Sequence, residues 1–341
     1  MKRALLASLA LLSPALALAV PCGTVVTSSL VLTGDMSCPN TALFVGATGV
    51  TIYLNGHSIT SQNDWSYVIS GPNNQMVKGT RILGPGNLFV PNRGVGVMVS
   101  NQAEVTISGV SLYGTAVGTN TSFTGIWAIP TNLMPTIKSL HVMGNTFSSA
   151  ASGAGAVSVI NADKLVIANN TISLPNSVGY SINLAASPTG YVSNSLVTNN
   201  VIDGGDYGVY LASGYNVQVT KNTITNIKAD AIAFESLYNN LGISSSDISG
   251  NIIDTVGLAG VWLYSWSQSA GVVTNNTVES NSITNSPYYG IALGMGGPAN
   301  GALVTNNLVT MNAINKTADK PIVDQGVNNN VISNTCDGNP C

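Results

Sequence analysis

The sequence predicts an all-β solenoid of parallel strands, on three observations. First, a short phrase (Asn, any residue, then a branched or aromatic apolar residue) recurs at Asn145, Asn170, Asn200, Asn222, Asn251, Asn281, Asn307 and Asn330. The intervals are 25, 30, 22, 29, 30, 26 and 23 residues. Such wandering about the mid-twenties suits stacked coils with loops of unequal length. Second, apolar residues near each phrase alternate with polar ones, as Val217, Val219 and Ile224 do among Gln218, Thr220 and Lys221. Period two broken by Asn and Gly is a strand signal, and no window carries a sustained helical period. Third, the phrase returns with one polarity throughout. Hairpins would reverse it in alternate strands, whereas parallel strands stacked along an axis preserve it.

The elements follow in chain order. Residues 1–19 have the form of a secretory signal: Lys2-Arg3, an apolar run over 4–12, and the small-residue cleavage pattern Ala17-Leu18-Ala19. The apolar run is too short to be a membrane span, and no later segment approaches one. Outside the cytoplasm, four cysteines favour disulfides over metal ligation. Cys22 and Cys38 lie near one end of the chain and Cys336 and Cys341 at the other. Of the three pairings open to them, the local pair Cys22–Cys38 and Cys336–Cys341 is the expected one. Weaker copies of the phrase stand at Gly56-His-Ser-Ile59, Gly86-Asn-Leu-Phe89 and Gly109-Val-Ser-Leu112. They align His57 with Asn87, at the end of the Asn column. His141 falls on an outward position equivalent to Val166 and Gln218. Each recurring Asn is expected at a bend, in the left-handed conformation, hydrogen-bonding the Asn of the next coil.

Composition narrows the function. The 341 residues are 45% hydrophobic but only 7% charged, against about 25% charged in an ordinary domain. The polar surface is therefore built from Ser, Thr and 39 Asn. A formal charge of −3, without any basic cluster, argues against nucleic acid as a partner. Loss of Lys2 and Arg3 with the signal would leave 9 basic and 14 acidic residues, a net of −5. Two distant histidines and scattered methionines do not form a copper site.

The phrase series resembles the right-handed parallel β-helix proteins of the pectin-lyase-like group, especially NosD-like and carbohydrate-binding or sugar-hydrolase repeats. The opening is similar to their N-terminal coils: Leu30-Val-Leu-Thr-Gly-Asp35-Met-Ser-Cys38, then Val50-Thr-Ile-Tyr-Leu-Asn55-Gly-His57-Ser-Ile59. Tyr53 replaces the acidic residue often found there. The resemblance spans nearly all of residues 20–341. It implies one domain, a single-stranded right-handed parallel β-helix of about eleven coils with an Asn ladder. At a strand spacing of ~4.8 Å such a rod would be roughly 50 Å long. The architecture hosts lyases, hydrolases, epimerases, adhesins and passive scaffolds. Asp203-Gly-Gly-Asp206 resembles the acidic signature of polygalacturonases, but their Asn-Thr-Asp, Gly-His-Gly and Arg-Ile-Lys phrases are missing, as is the pectate-lyase arginine signature.

A second recurring strand locates the chemistry: Gly208-Val-Tyr-Leu211, Ala231-Ile-Ala-Phe234, Gly260-Val-Trp-Leu263 and Gly290-Ile-Ala-Leu293, with looser copies at Ser181 and Gly125. Strand alternation turns Val209, Ile232, Val261 and Ile291 inward, and Tyr210, Ala233, Trp262 and Ala292 outward. Ala212, Glu235, Tyr264 and Gly294 form the next outward column. Tyr180, Tyr207, Asp230, Ala259 and Tyr289 precede the strand. Asp203, Asp206, Asp230, Glu235 and Asp254 thus gather near one face with Lys228 and the aromatics Tyr207, Tyr210, Trp262, Tyr264, Trp266, Tyr288 and Tyr289. Asp203 and Asp254, aligned with Thr225 and Thr284, read as turn formers. Aromatic faces pack on sugar rings and carboxylates accept sugar hydroxyls. The candidate catalytic residues are Asp206, Asp230, Glu235 and Lys228. Two carboxyls would serve a hydrolase, and Lys228, with Ca²⁺ as an added cation, would serve a uronate lyase. The candidate sugar contacts are Tyr207, Tyr210, Trp262, Tyr264 and Tyr289. The expected partner is a polysaccharide or cell-surface glycan, and the expected state a monomer. A non-catalytic extracellular scaffold or adhesin is the alternative.

Overall fold

The computed structural model describes residues 20–72, 74–188, 190–237, 241–265, 271–294 and 303–341. Residues 1–19, read as a signal, and Trp266 lie outside these. The described residues form strands and turns without a helix, so no helix among them is long and apolar enough to cross a membrane.

Each coil contributes to three sheets in turn. The first sheet stacks 12 strands from Thr24–Val26 to Lys320–Asp324, and the third stacks 13, ending in Asn339–Pro340. The second runs between them, from Leu30–Val31 to Asn330–Ile332. Among the described residues the strand pairings are parallel except Thr335–Cys336 with Asn339–Pro340. The sheets have about as many layers as the eleven coils expected, differing slightly in number.

Inward side chains stack in columns. Ile182, Val209, Ile232, Val261 and Ile291 are partners in successive strands and fully buried. Gly208 and Gly260 precede two of them because a Cβ there would stand 2.7 and 2.6 Å from the Cγ2 atoms of Ile224 and Ile283 on the third sheet. The core needs those methyl groups more than it needs a side chain on the first sheet.

The Asn ladder is present, with its geometry and membership revised. It runs Asn145, Asn170, Asn200, Asn222, Asn251, Asn281, Asn312 and Asn334. The Asn170 Oδ1 accepts from the backbone N–H and Nδ2 of Asn145, at 2.9 and 3.1 Å. Its Nδ2 donates to Asn200 Oδ1 and to the Val142 carbonyl, both at 2.9 Å. All the hydrogen-bonding capacity of a buried carboxamide is used. The left-handed residue is the one before the ladder Asn, as at Asn169, Asn199 and Lys221 with φ of 57°, 54° and 56°.

Asn307 belongs to a second ladder, Asn276–Asn307–Asn329, inside the second face. Consistent with this, Val309 pairs with Val278, while Ile314 pairs with Ile283. Asn330 stands one residue past that ladder. The phrase can occur twice per coil because left-handed bends recur every five residues, at Asn275, Ser280 and Asn285 and again at Asn306, Met311 and Lys316. The upstream alignment also shifts by one residue. Asn87 pairs with Ser58, and Leu88, not Phe89, pairs inward with Ile59. His57 contacts Asp35 at 3.4 Å. His141 does align with Val166 and, through Leu196, with Gln218.

Both expected disulfides are formed, Cys22–Cys38 with Cα atoms 5.5 Å apart and Cys336–Cys341 with 5.1 Å. The first joins the first and third faces of the opening coil. The second closes the antiparallel hairpin, which shields the last edge of the third sheet. Pro321 sits on the last strand of the first sheet, where its missing N–H discourages a further strand.

Asn222→Ala removes the acceptor for Asn200 and strands the Val197 carbonyl. At about 1–3 kcal/mol per buried orphaned group, it is expected to cost at least about 3 kcal/mol by chemical denaturation. Asn87→Ala, which loses one bond to the Ser58 hydroxyl, should cost under about 1 kcal/mol. Equal effects would mean that the ladder does not hold the coils.

Candidate functional site

The outward columns form as the strand pattern implies. Asn183, Tyr210, Ala233, Trp262 and Ala292 are successive partners on the first sheet, and Glu235 pairs with Tyr264. Tyr180 pairs with Tyr207, and Ala259 with Tyr289, in the column that holds Asp230. Trp127 joins the Tyr210 column upstream through Ser158. The stretch after Leu112 therefore forms a coil, with the strand Gly118–Ala128 built into the sheet.

Two carboxyls lie beneath this surface. Asp230 is 1% exposed, with Oδ1 accepting the Ala259 N–H at 3.0 Å and Oδ2 without a hydrogen-bond partner. Burial pushes its pKa up to about 7; the Ala259 N–H opposes this and the charge of Glu235 adds to it. Glu235, 9% exposed, lies beside the Tyr210 and Tyr264 phenols. Burial and that carboxylate push both phenols far above their ordinary range. Tyr207 is pushed up to about 12, by burial first and then by Asp230 and Glu235.

The aromatics stack on one another. Tyr180 lies 5.0 Å from Tyr207 and 4.6 Å from Tyr210, and Trp262 lies 4.9 Å from Tyr264. Tyr210 is consequently 4% exposed although its strand position faces outward. The accessible layer consists of Tyr180, Tyr207, Trp262, Tyr264, Tyr288 and Tyr289. The Trp262 Nε1 and the Asn183 Oδ1 are buried without partners. Both lie in the outward column.

The remaining acids separate. Asp206 is half-buried at the rim, its pKa raised by burial against the opposing charge of Lys228. The Lys228 Nζ is held by the carbonyls of Asn176 and Ser177 at 3.0 and 2.8 Å. Asp203 and Asp254 accept from Asn226 and Asn285, which are left-handed bend residues, so they brace the turn as their alignment implies. Among the described residues no three His, Cys, Asp or Glu side chains converge as metal ligands.

Two buried acids beneath an aromatic face, on a stack of parallel coils, can be compared with known proteins. The right-handed beta helix region family matches residues 39–276. This chain belongs to that family. No curated protein matches it in sequence. Among solved structures it is similar to the hyperthermoactive exopolygalacturonase of Thermotoga maritima, with 11% identity, a TM-score of 0.56, and 87% of this chain and 84% of that one covered. The polygalacturonase of Erwinia carotovora ssp. carotovora is similar at 12% identity and a TM-score of 0.50, with 91% and 87% covered. The tailspike protein of E. coli bacteriophage HK620, solved with a pentasaccharide, gives 11% and 0.55, with 90% of this chain covering 59% of that one. At such identities the likeness is one of fold.

Two features escaped the sequence reasoning. Tyr180 was aligned with the site column, yet its role as the ring bridging Tyr207 and Tyr210 depends on tertiary stacking. A groove around Trp65 and Arg93, upstream on the same sheet, lies where the coils lack the Asn phrase and their alignment had no anchor.

The Asp230 carboxyl links pH to stability. Its pKa is raised from 3.8 in the free side chain to about 7, so the folded state binds its proton more tightly than the unfolded chain. This contribution is fully present below about pH 4 and is lost as pH rises towards 7. Between those limits wild-type stability should decline more steeply than that of Asp230→Asn, measured by urea titration at each pH. Parallel curves would show that Asp230 is ionised throughout.

Proposed function

We propose that this chain is a secreted β-helix protein that binds a polysaccharide along the outward face of the first sheet and hydrolyses it with Asp230 and Glu235. The observation that carries this reading is the Asp230 carboxyl: buried, with one oxygen unpartnered, its pKa raised to about 7, and accompanied by a second carboxyl beneath an aromatic surface. A glycosidase needs one carboxylic acid to protonate the departing oxygen and a second carboxyl as base or nucleophile. Asp230 suits the first role, and Glu235, flanked by two phenols, the second. Tyr207, Trp262, Tyr264 and Tyr289 offer ring faces for sugar C–H surfaces, with Asp206 at the rim as a hydroxyl acceptor. Tyr210 supports Glu235 from below. Both central carboxyls are enclosed, so the surrounding rings have to open for a glycosidic oxygen to arrive.

Hydrolysis is favoured over elimination because the Lys228 ammonium already serves two backbone carbonyls. Polysaccharide-acting relatives of the same fold support the substrate class. The signal-like residues 1–19 and two disulfides support secretion. The scaffold or adhesin reading draws on the same enclosure, since both carboxyls are closed off from solvent.

The test is incubation of the mature protein with neutral and uronic-acid polysaccharides, with and without Ca²⁺, following reducing ends and ultraviolet-absorbing unsaturated ends. Reducing ends alone are expected, and Asp230→Asn or Glu235→Gln should lower their rate by about 10²–10⁴-fold. Unsaturated ends would replace the hydrolase reading with a lyase. Silence across the panel, without retardation in polysaccharide-containing gels, would leave the scaffold.

A further inference from the structure

Upstream of the acidic cluster, the first sheet carries a groove of about 300 Å³ lined by Trp65, Tyr67, Arg93, Ser122, Thr124 and Trp127. The Arg93 guanidinium lies 5.3 Å from the centre of the Trp65 ring. Among the described residues it makes no ion pair or hydrogen bond, so its donors remain available. Trp65 is 69% exposed. Both residues hold positive φ, 65° at Trp65 and 55° at Arg93. For side chains of this size that is an uncommon conformation, maintained here by bonds from the Trp65 N–H to the Asn92 carbonyl and from the Arg93 N–H to the Ser122 carbonyl. The bends thus present an aromatic face and a planar cation side by side above a floor of hydroxyl and aromatic side chains.

The groove lies on the same sheet as the candidate site. Val97, Ile126, Val157, Ile182, Val209 and Ile232 pair in sequence, so the coil of Arg93 lies five steps from the coil of Asp230. Arg93 stands four residues before Val97 as Lys228 stands four before Ile232, on the same border of the sheet. At ~4.8 Å per step the separation is roughly 24 Å along the axis.

We infer that the Trp65–Arg93 groove binds an acidic sugar unit, with Arg93 pairing its anionic group and Trp65 and Trp127 packing against ring faces, and that the chain's glycan is an acidic polysaccharide extending from this groove to Asp230. Guanidinium forks match planar carboxylates and also bind sulfates, and aromatic rings accept the apolar faces of sugars. The inference rests on the polysaccharide reading for its extension to Asp230, while the groove itself is tested by binding alone.

The experiment is calorimetric titration of the whole mature chain with three oligosaccharide ladders, one carboxylated (oligouronates), one sulfated and one neutral. An acidic ladder should bind, with affinity rising once the oligomer can bridge the two positions. Arg93→Gln should weaken that binding at least tenfold and leave binding of the neutral ladder unchanged, while Arg93→Lys should recover part of it. Circular dichroism checks that the variants are folded, and the better acidic ladder identifies the anion. Wild-type affinity in folded Arg93→Gln, or preference of the wild type for the neutral ladder, overturns the inference. Acidic binding that depends on Arg93 without cleavage of any glycan would sink the hydrolase reading and leave the groove standing. Cleavage of neutral chains, with no binding of either acidic ladder, would do the reverse.

Discussion

A carboxamide buried between coils makes four hydrogen-bonding demands, and the rest of this structure follows from meeting them. An interior ladder Asn such as Asn170 donates to the next Asn and to a carbonyl of the preceding coil, and accepts twice from the Asn before it. A slip by one residue would bury unsatisfied amides in coil after coil, at about 1–3 kcal/mol for each orphaned group. Register is thereby fixed along the stack. With register fixed, residues at equivalent positions form straight columns on every face. Loops between strands are then free to vary in length, since the ladder, and not loop geometry, sets the alignment.

Those columns bring distant residues together. Asp230 and Glu235 belong to one coil, Tyr207 and Tyr210 to the coil before, and Trp262 and Tyr264 to the coil after. The cluster exists because parallel stacking superposes three short segments, each unremarkable alone. Its electrostatics follow from enclosure. A carboxyl removed from water and given a single N–H donor favours its proton, and phenols beside a carboxylate hold theirs. The same stacking carries the sheet upstream to Trp65 and Arg93, so it presents cation and acid five coils apart.

Fold and function separate here. Two polygalacturonases and a phage tailspike show that such coils accommodate saccharide-directed proteins of different kinds. The polygalacturonase phrases are absent from this chain, so its candidate site is built from other residues. The candidate site therefore rests on the two buried carboxyls and their aromatic cover, with fold likeness as background.

Much was legible in the residues themselves. Solenoid, parallel strands, inward and outward columns, and the grouping of Asp206, Asp230, Glu235 and the aromatics follow from periodicity two and from segments repeated in one polarity, and the terminal disulfides from four cysteines placed in pairs at the two ends. Such signals are local, or require only the matching of one segment to another. What sequence could not assign was membership where a signal is ambiguous. Asn307 and Asn330 fit the phrase as well as Asn312 and Asn334 fit the ladder, because left-handed bends every five residues create two equivalent slots per coil. Pairing with Val278 or Ile283 decides between them, and that is a contact between coils. Burial was likewise decided by packing. Strand alternation turns Tyr210 outward, but the rings of Tyr180 and Tyr207 cover it. Sequence determined which way each side chain leaves its strand; only the tertiary structure decided what meets it there, because exposure depends on neighbours from other coils.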